Sequence, residues 1–111
     1  MGLIKIQKND GLSGTAKGGI EYINGTNVVA AKMSAAAVVE LTVEAIDAAK
    51  DTVSITYSGG AGNPPSEADI LAAWEPVLVS ANGSVCTLVP APQLYNDEAT
   101  PAAIYPAVAI A

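Results

Sequence analysis

The chain has 111 residues, half of them hydrophobic, with five lysines, no arginine, no histidine, eleven acidic residues and a formal charge of −6. That length supports one domain around one core, and so acidic a chain lacks the cationic stripe that neutralises nucleic-acid phosphates or an anionic bilayer surface. The missing histidine removes the commonest general base and metal ligand, and with it every Ser-His or Cys-His nucleophile arrangement.

In chain order, Leu3-Ile4-Lys5-Ile6-Gln7 reads as a short strand or N-terminal arm. Lys5 and Lys8 arrive before any long apolar run, so no secretory leader is expected, and a cytoplasmic, soluble product follows. Asn9 to Gly14 is rich in turn formers and lacks helical spacing. The glycines from Gly11 to Gly19 invite comparison with a phosphate loop, but no Gly-Lys-Ser/Thr follows them and no long helix opens behind Lys17. Ile20 to Ile23 reads as a strand, and Asn24-Gly25 as a type I′ turn returning the chain through Thr26 to Lys32 in a first hairpin.

Met33 to Ala37 is expected to turn between strands. Val38 to Ser58 then holds the clearest pattern, period-two alternation at 39–43 and again at 53–57, as in strands with one face on a core and one in water. The link from Ala45 to Asp51 closes a long central hairpin, with a helix of one or two turns as its alternative. Gly59 to Pro65 is a loop. Ser66-x-x-Asp69 is a capping arrangement for a helix near 66–81. Ile70, Trp74, Val77, Leu78 and Ala81 form its apolar stripe, and Trp74 is expected in the core. Pro76 predicts a kink or break near Glu75, and Asn82-Gly83 a left-handed cap. Val85 to Val89 reads as a returning strand carrying Cys86, a lone thiol acting as a small buried hydrophobe.

From Pro90 to Ala111 four prolines disfavour helix and central strands. Leu94, Tyr95, Ile104, Tyr105, Val108 and Ile110 are nonetheless spread through the segment. The expected organisation is therefore a β-rich core over residues 1–89 and an extended Pro/Ala-rich arm over 90–111. The fold class is mainly β: a small antiparallel barrel or sandwich with one kinked helix. Subunit contacts are expected on Leu3, Ile4 and Ile6 at one end and on Leu94, Tyr95, Ile104, Tyr105, Val108 and Ile110 at the other, giving a homo-oligomer.

No residue set reads as catalytic, cofactor-binding or metal-ligating. Glu40 and Glu44 share the outward face of one strand with Thr42 between them, a solvated face without the cleft that paired-carboxylate chemistry needs. Asn96-Asp97-Glu98 lacks the repeated oxygen spacing of a calcium loop. Trp74 and Tyr57 could line a ligand pocket, against the core reading of the tryptophan.

The opening Met1-Gly2-Leu3-Ile4-Lys5-Ile6, the run Gly18-Gly19-Ile20-Glu21-Tyr22-Ile23-Asn24 and the order of parts resemble small virion structural proteins of tailed bacteriophages. The resemblance implies a capsid decoration or cement protein, located in the virion, with the major capsid protein or other virion proteins as partners and no catalytic residues. A tail, neck or fibre component, or a small cytoplasmic binding module, is the alternative.

Overall fold

The computed structural model describes residues 2–11, 16–24, 28–47, 50–58, 62–83 and 87–110. In chain order these form β1 (Gly2–Asn9), β2 (Lys17–Asn24), β3 (Val28–Ala35), β4 (Val38–Asp47), β5 (Lys50–Thr56), α1 (Glu67–Gly83), β6 (Thr87–Pro90), β7 (Leu94–Tyr95), β8 (Ala103–Ile104) and β9 (Ala107–Ile110). The mainly β reading with one helix holds. The strands make three sheets rather than one: β2-β1-β6, β3-β4-β5-β9, and the pair β7-β8.

Alternation in β1 sends Ile4 and Ile6 inward and Leu3 outward. β1 pairs antiparallel with β2 but parallel with β6, so the expected all-antiparallel arrangement is corrected at that pair. The return from β1 to β2 begins at Asn9. Its side-chain Oδ1 accepts from the Gly11 N–H at 3.0 Å, and the Asp10 N–H donates to the Ala16 carbonyl at 3.1 Å. Gly11 sits at φ 83°, a left-handed conformation that glycine takes without a Cβ penalty. At Gly18 a Cβ would run into the Asn9 carbonyl, so the close approach of β2 to the end of β1 depends on that glycine.

This local turn captures β2 for β1. The hairpin expected between Ile20–Ile23 and Thr26–Lys32 does not form, since β2 and β3 belong to different sheets. Gly25 lies outside the described residues.

The central hairpin stands as read. Val38 pairs with Thr56, Val39 with Ile55 and Leu41 with Val53, and strand structure continues into the link to Asp47 and from Lys50, with a register shift between. In place of the short helix considered for 45–50, residues 45–47 and 50 are strand, and 48–49 lie outside the described residues. The β3–β4 turn is tight: Ala37 is buried at φ 60°, a conformation a non-glycine residue adopts only when its surroundings hold it. Its carbonyl accepts the Tyr57 N–H at 2.8 Å, which is one such restraint.

Pairing across the four-stranded sheet aligns two inward rows, Met33-Val39-Ile55-Val108 and Ala31-Leu41-Val53-Ile110. Val108 and Ile110 come from the segment expected to be a free arm. Leu94 pairs with Ile104 in the small sheet, and Leu94, Ile104 and Pro106 are buried. The Ala91 N–H donates to the Lys5 carbonyl at 2.8 Å, and the Asn9 N–H to the Pro106 carbonyl at 2.9 Å. Residues 90–110 thus pair with and pack on the chain's own core. The physical reason is the even-numbered alternation of Ile104, Pro106, Val108 and Ile110: the first two are buried, and the last two, half-buried, extend the inward rows along an otherwise open β5.

Helix α1 starts as expected, with Ser66 Oγ accepting from the Asp69 N–H at 3.2 Å and acidic Glu67 and Asp69 in the first turn. Ile70 and Trp74 are buried, Val77 and Leu78 half-buried. Of the kink or break expected near Glu75, the break does not occur: the helix runs on across Pro76. Proline leaves the Ala72 carbonyl without its helical donor, but both residues are exposed, so water can serve that carbonyl. The helix includes Gly83, placed in the sequence reading at its cap. The side chain of Ala81 and the whole of Cys86 lie outside the described residues.

Inner residues of all three sheets and α1 form one hydrophobic cluster. Removing residues 101–111 strips β9 from β5 and Ile104 from that cluster. The truncated chain is expected to lose cooperative urea unfolding, and Ile104→Ala to cost about 2–5 kcal/mol, with retained stability in either measurement contradicting the shared core.

Candidate docking surface

The sequence-expected contact residues separate once the pairing is known. Ile4, Ile6, Leu94 and Ile104 are buried in the core and cannot meet a partner in the folded chain. Tyr105, Val108 and Ile110 are half-buried, the last two on the inward rows. Leu3 and Tyr95 are exposed.

A different set comes together on the outward face of the three-stranded sheet. Leu3 of β1 lies beside Leu88 of β6; Lys5 lies between Tyr22 and Pro90; Ile20 pairs with Gln7 further along. Ile20, Tyr22 and Leu88 are 42%, 55% and 52% exposed, high values for large apolar side chains gathered on one sheet face. Period-two spacing in β2 already placed Ile20 and Tyr22 on one side. Which side faced the core required knowing that Ile23 and Ile4 pair on the other.

Charge is unevenly distributed about this face. β1 and β2 carry Lys5, Lys8 and Lys17 against Glu21 alone, three positive charges to one negative, whereas α1 carries Glu67, Asp69 and Glu75 and no lysine. Lys8 reaches Glu21 at 3.7 Å. Lys5 alone of these stands at the centre of the outward face with the exposed apolar side chains, whereas Lys8, by strand alternation on the side of Ile4 and Ile6, pairs with Glu21 there.

The other candidate groups are engaged in the fold. Trp74 Nε1–H donates to the Tyr57 hydroxyl at 3.0 Å in the core, so the two aromatics considered for a pocket satisfy each other. Burial pushes the Tyr57 hydroxyl up to about 12, a rise the bond from Trp74 partly offsets. In Asn96-Asp97-Glu98, the Asn96 side-chain oxygen accepts from the Ala102 N–H at 2.8 Å and the Glu98 carboxylate from the Asn63 N–H at 3.1 Å. Glu40 stands 3.8 Å from Lys32 in an exposed ion pair. The Glu44 side chain and residues 12–15 of the glycine-rich run lie outside the described residues. Among the described residues no cluster of three or more acidic, cysteine or histidine side chains could hold a metal ion, and no helix is long and apolar enough to cross a membrane.

Compared with family models, curated proteins and solved structures, the chain finds no match.

The Tyr57–Trp74 pair makes a quantitative claim. Trp74→Ala is expected to cost roughly 3–5 kcal/mol in urea melts. Because the folded hydroxyl titrates near 12 and the unfolded one near 10, the folded state holds its proton where the unfolded state has lost it. Stability is then complete below about pH 10 and falls by roughly 2–3 kcal/mol on the way to pH 12. Tyr57→Phe should abolish that share of the alkaline decline; a decline of unchanged size would place its cause elsewhere.

Proposed function

We propose that this chain is a non-enzymatic virion structural protein, a decoration or cement protein that binds the outside of a tailed-phage head and reinforces contacts between major capsid subunits. The outward face of the three-stranded sheet is the docking surface. The carrying observation is the gathering of Leu3, Ile20, Tyr22 and Leu88 around Lys5 on one exposed sheet face, on a chain whose sequence resembles small virion proteins. Soluble monomers rarely leave such residues together in water unless a partner covers them. Lys5, set between Tyr22 and Pro90 on this face, suits an acidic group on the shell protein and orients the approach. In the same reading, the two larger sheets are the layers of a sandwich closed by α1, which holds the docking face flat.

Aromatic and aliphatic anchors at the centre of an interface carry most of its energy. Tyr22→Ser with Leu88→Ser should leave the urea midpoint nearly unchanged, since both side chains are exposed, and weaken co-sedimentation with purified phage heads by roughly tenfold or more. Unchanged attachment by the folded double variant would remove this face from the contact. Failure of the wild type to bind heads while binding tail or neck assemblies would move the protein to another part of the virion.

A further inference from the structure

A second surface lies on the four-stranded sheet, at the free side of β3. Among the described residues four strand edges are open in the two larger sheets, and three are blunted. β6 and β9 have four residues each; β6 ends in Pro90, and Pro106 precedes β9. β2 carries two glycines, with Lys17 and Glu21 along it, and the Gly18 and Gly19 carbonyls already accept from the Gln7 amide. β3 has eight residues, no proline, no glycine and one charge. It is bulged at both ends and regular from Ala30 to Met33. Its single charge, Lys32, is paired to Glu40 on the outward face. Such an edge is a template for another strand.

Beside it runs a groove of about 360 Å³ between β3 and α1, its apolar lining Ala31, Val39, Leu71, Trp74, Leu78 and Val79 with Lys32 and Glu75 of opposite charge beside them. Ala31 belongs to an inward row yet stays exposed, because α1 does not reach the sheet's edge. Leu71 and Val79, 43% and 68% exposed, lie on the flank of α1 that faces this gap.

From these observations we infer that β3 pairs antiparallel with β3 of a second copy across a two-fold axis, joining two four-stranded sheets into one continuous sheet. A two-fold axis perpendicular to an antiparallel sheet requires one residue to face its own copy, since only then do opposed side chains share a face. Centred on Lys32, the pairing sets two ammonium groups together. Centred on Ala31, it sets methyl against methyl and Lys32 against Ala30, and each Lys32 keeps its Glu40. Of these two, the Ala31 register is the one free of like-charge contact. The same operation places both helices on one side of the joined sheet, so the two grooves merge about the axis and the exposed Leu71 and Val79 of each copy turn toward the partner's groove. One contact thus satisfies the open backbone edge and the exposed helix flank. A second copy answers both needs, whereas a foreign strand answers only the first.

Analytical ultracentrifugation of the full chain tests this, with far-UV dichroism as the control for folding. The wild type is expected to sediment as a dimer. Ala31→Glu and Ala31→Lys, each placing like charges face to face, should weaken dimerisation by roughly a hundredfold or more, while an equimolar mixture of the two restores it. Val79→Lys, on the helix flank, should weaken it independently and serves if either change at residue 31 perturbs folding. A wild type that is monomeric at every concentration overturns the inference. So does a dimer that survives both Ala31→Glu and Val79→Lys, or a mixture that fails to recover. A monomeric wild type whose Ala31→Glu variant loses attachment to phage heads assigns the edge to a strand of the shell protein, and overturns self-pairing.

Discussion

The hydrogen bond from the Trp74 indole to the Tyr57 hydroxyl fixes how the layers meet. Each aromatic is almost wholly buried, and a buried donor or acceptor left unpaired costs about 1–3 kcal/mol. The bond can form only if the first residue after β5 and the second turn of α1 arrive at one point. Tyr57 is also held from behind, its N–H donating to the carbonyl of Ala37 in the β3–β4 turn. Three segments distant in sequence are therefore locked by one residue, through its backbone N–H and its hydroxyl: the turn, the end of the hairpin and the helix. A core of small aliphatic side chains packs in many ways of similar energy. A directional polar contact inside it selects one.

Much of the local structure was readable in the residues. The alternation at 39–43 and 53–57 gave the central hairpin because both halves lie close in the chain and face the same core. Ser66 and Asp69 gave the helix start because a cap involves only neighbours. What the residues did not disclose was partnership at a distance. Period two says which side of a strand is buried and nothing about the strand beside it. Asn24-Gly25 has the chemistry of a tight hairpin, yet β2 was already claimed by the Asn9–Gly11 turn that leads into it. The parallel pairing of β1 with β6 joins positions 2–5 to 87–90 and has no local signal at all.

The C-terminal segment shows the same limit for the candidate site. Its prolines and scattered apolar residues describe a chain that must cover something. Whether the covered surface belongs to itself or to a partner depends on whether β5 has a free side, a property of the sheet rather than the segment. β5 has one, and β9 takes it. That folding inward left the exposed apolar residues elsewhere. Ile20, Tyr22 and Leu88 attracted no attention in the sequence because strand residues of this kind are usually core. Sheet order put their face outward instead.

The two proposed surfaces are compatible because they differ in what they demand. The outward face of the three-stranded sheet offers side chains, with flat apolar area around a lysine and more positive charge nearby. It suits a partner whose surface is already folded. The β3 edge offers backbone donors and acceptors and accepts only an extended strand. Two copies of a chain with charge −6 repel over distances beyond contact, and at physiological ionic strength that repulsion is screened within about 8 Å. Short-range backbone pairing at an almost uncharged edge is the kind of contact that screening leaves intact. Docking through the lysine-bearing face gains from attraction to an acidic shell and weakens as salt rises. Self-pairing and shell attachment should therefore respond to ionic strength in opposite directions, because one is opposed by charge and the other assisted by it.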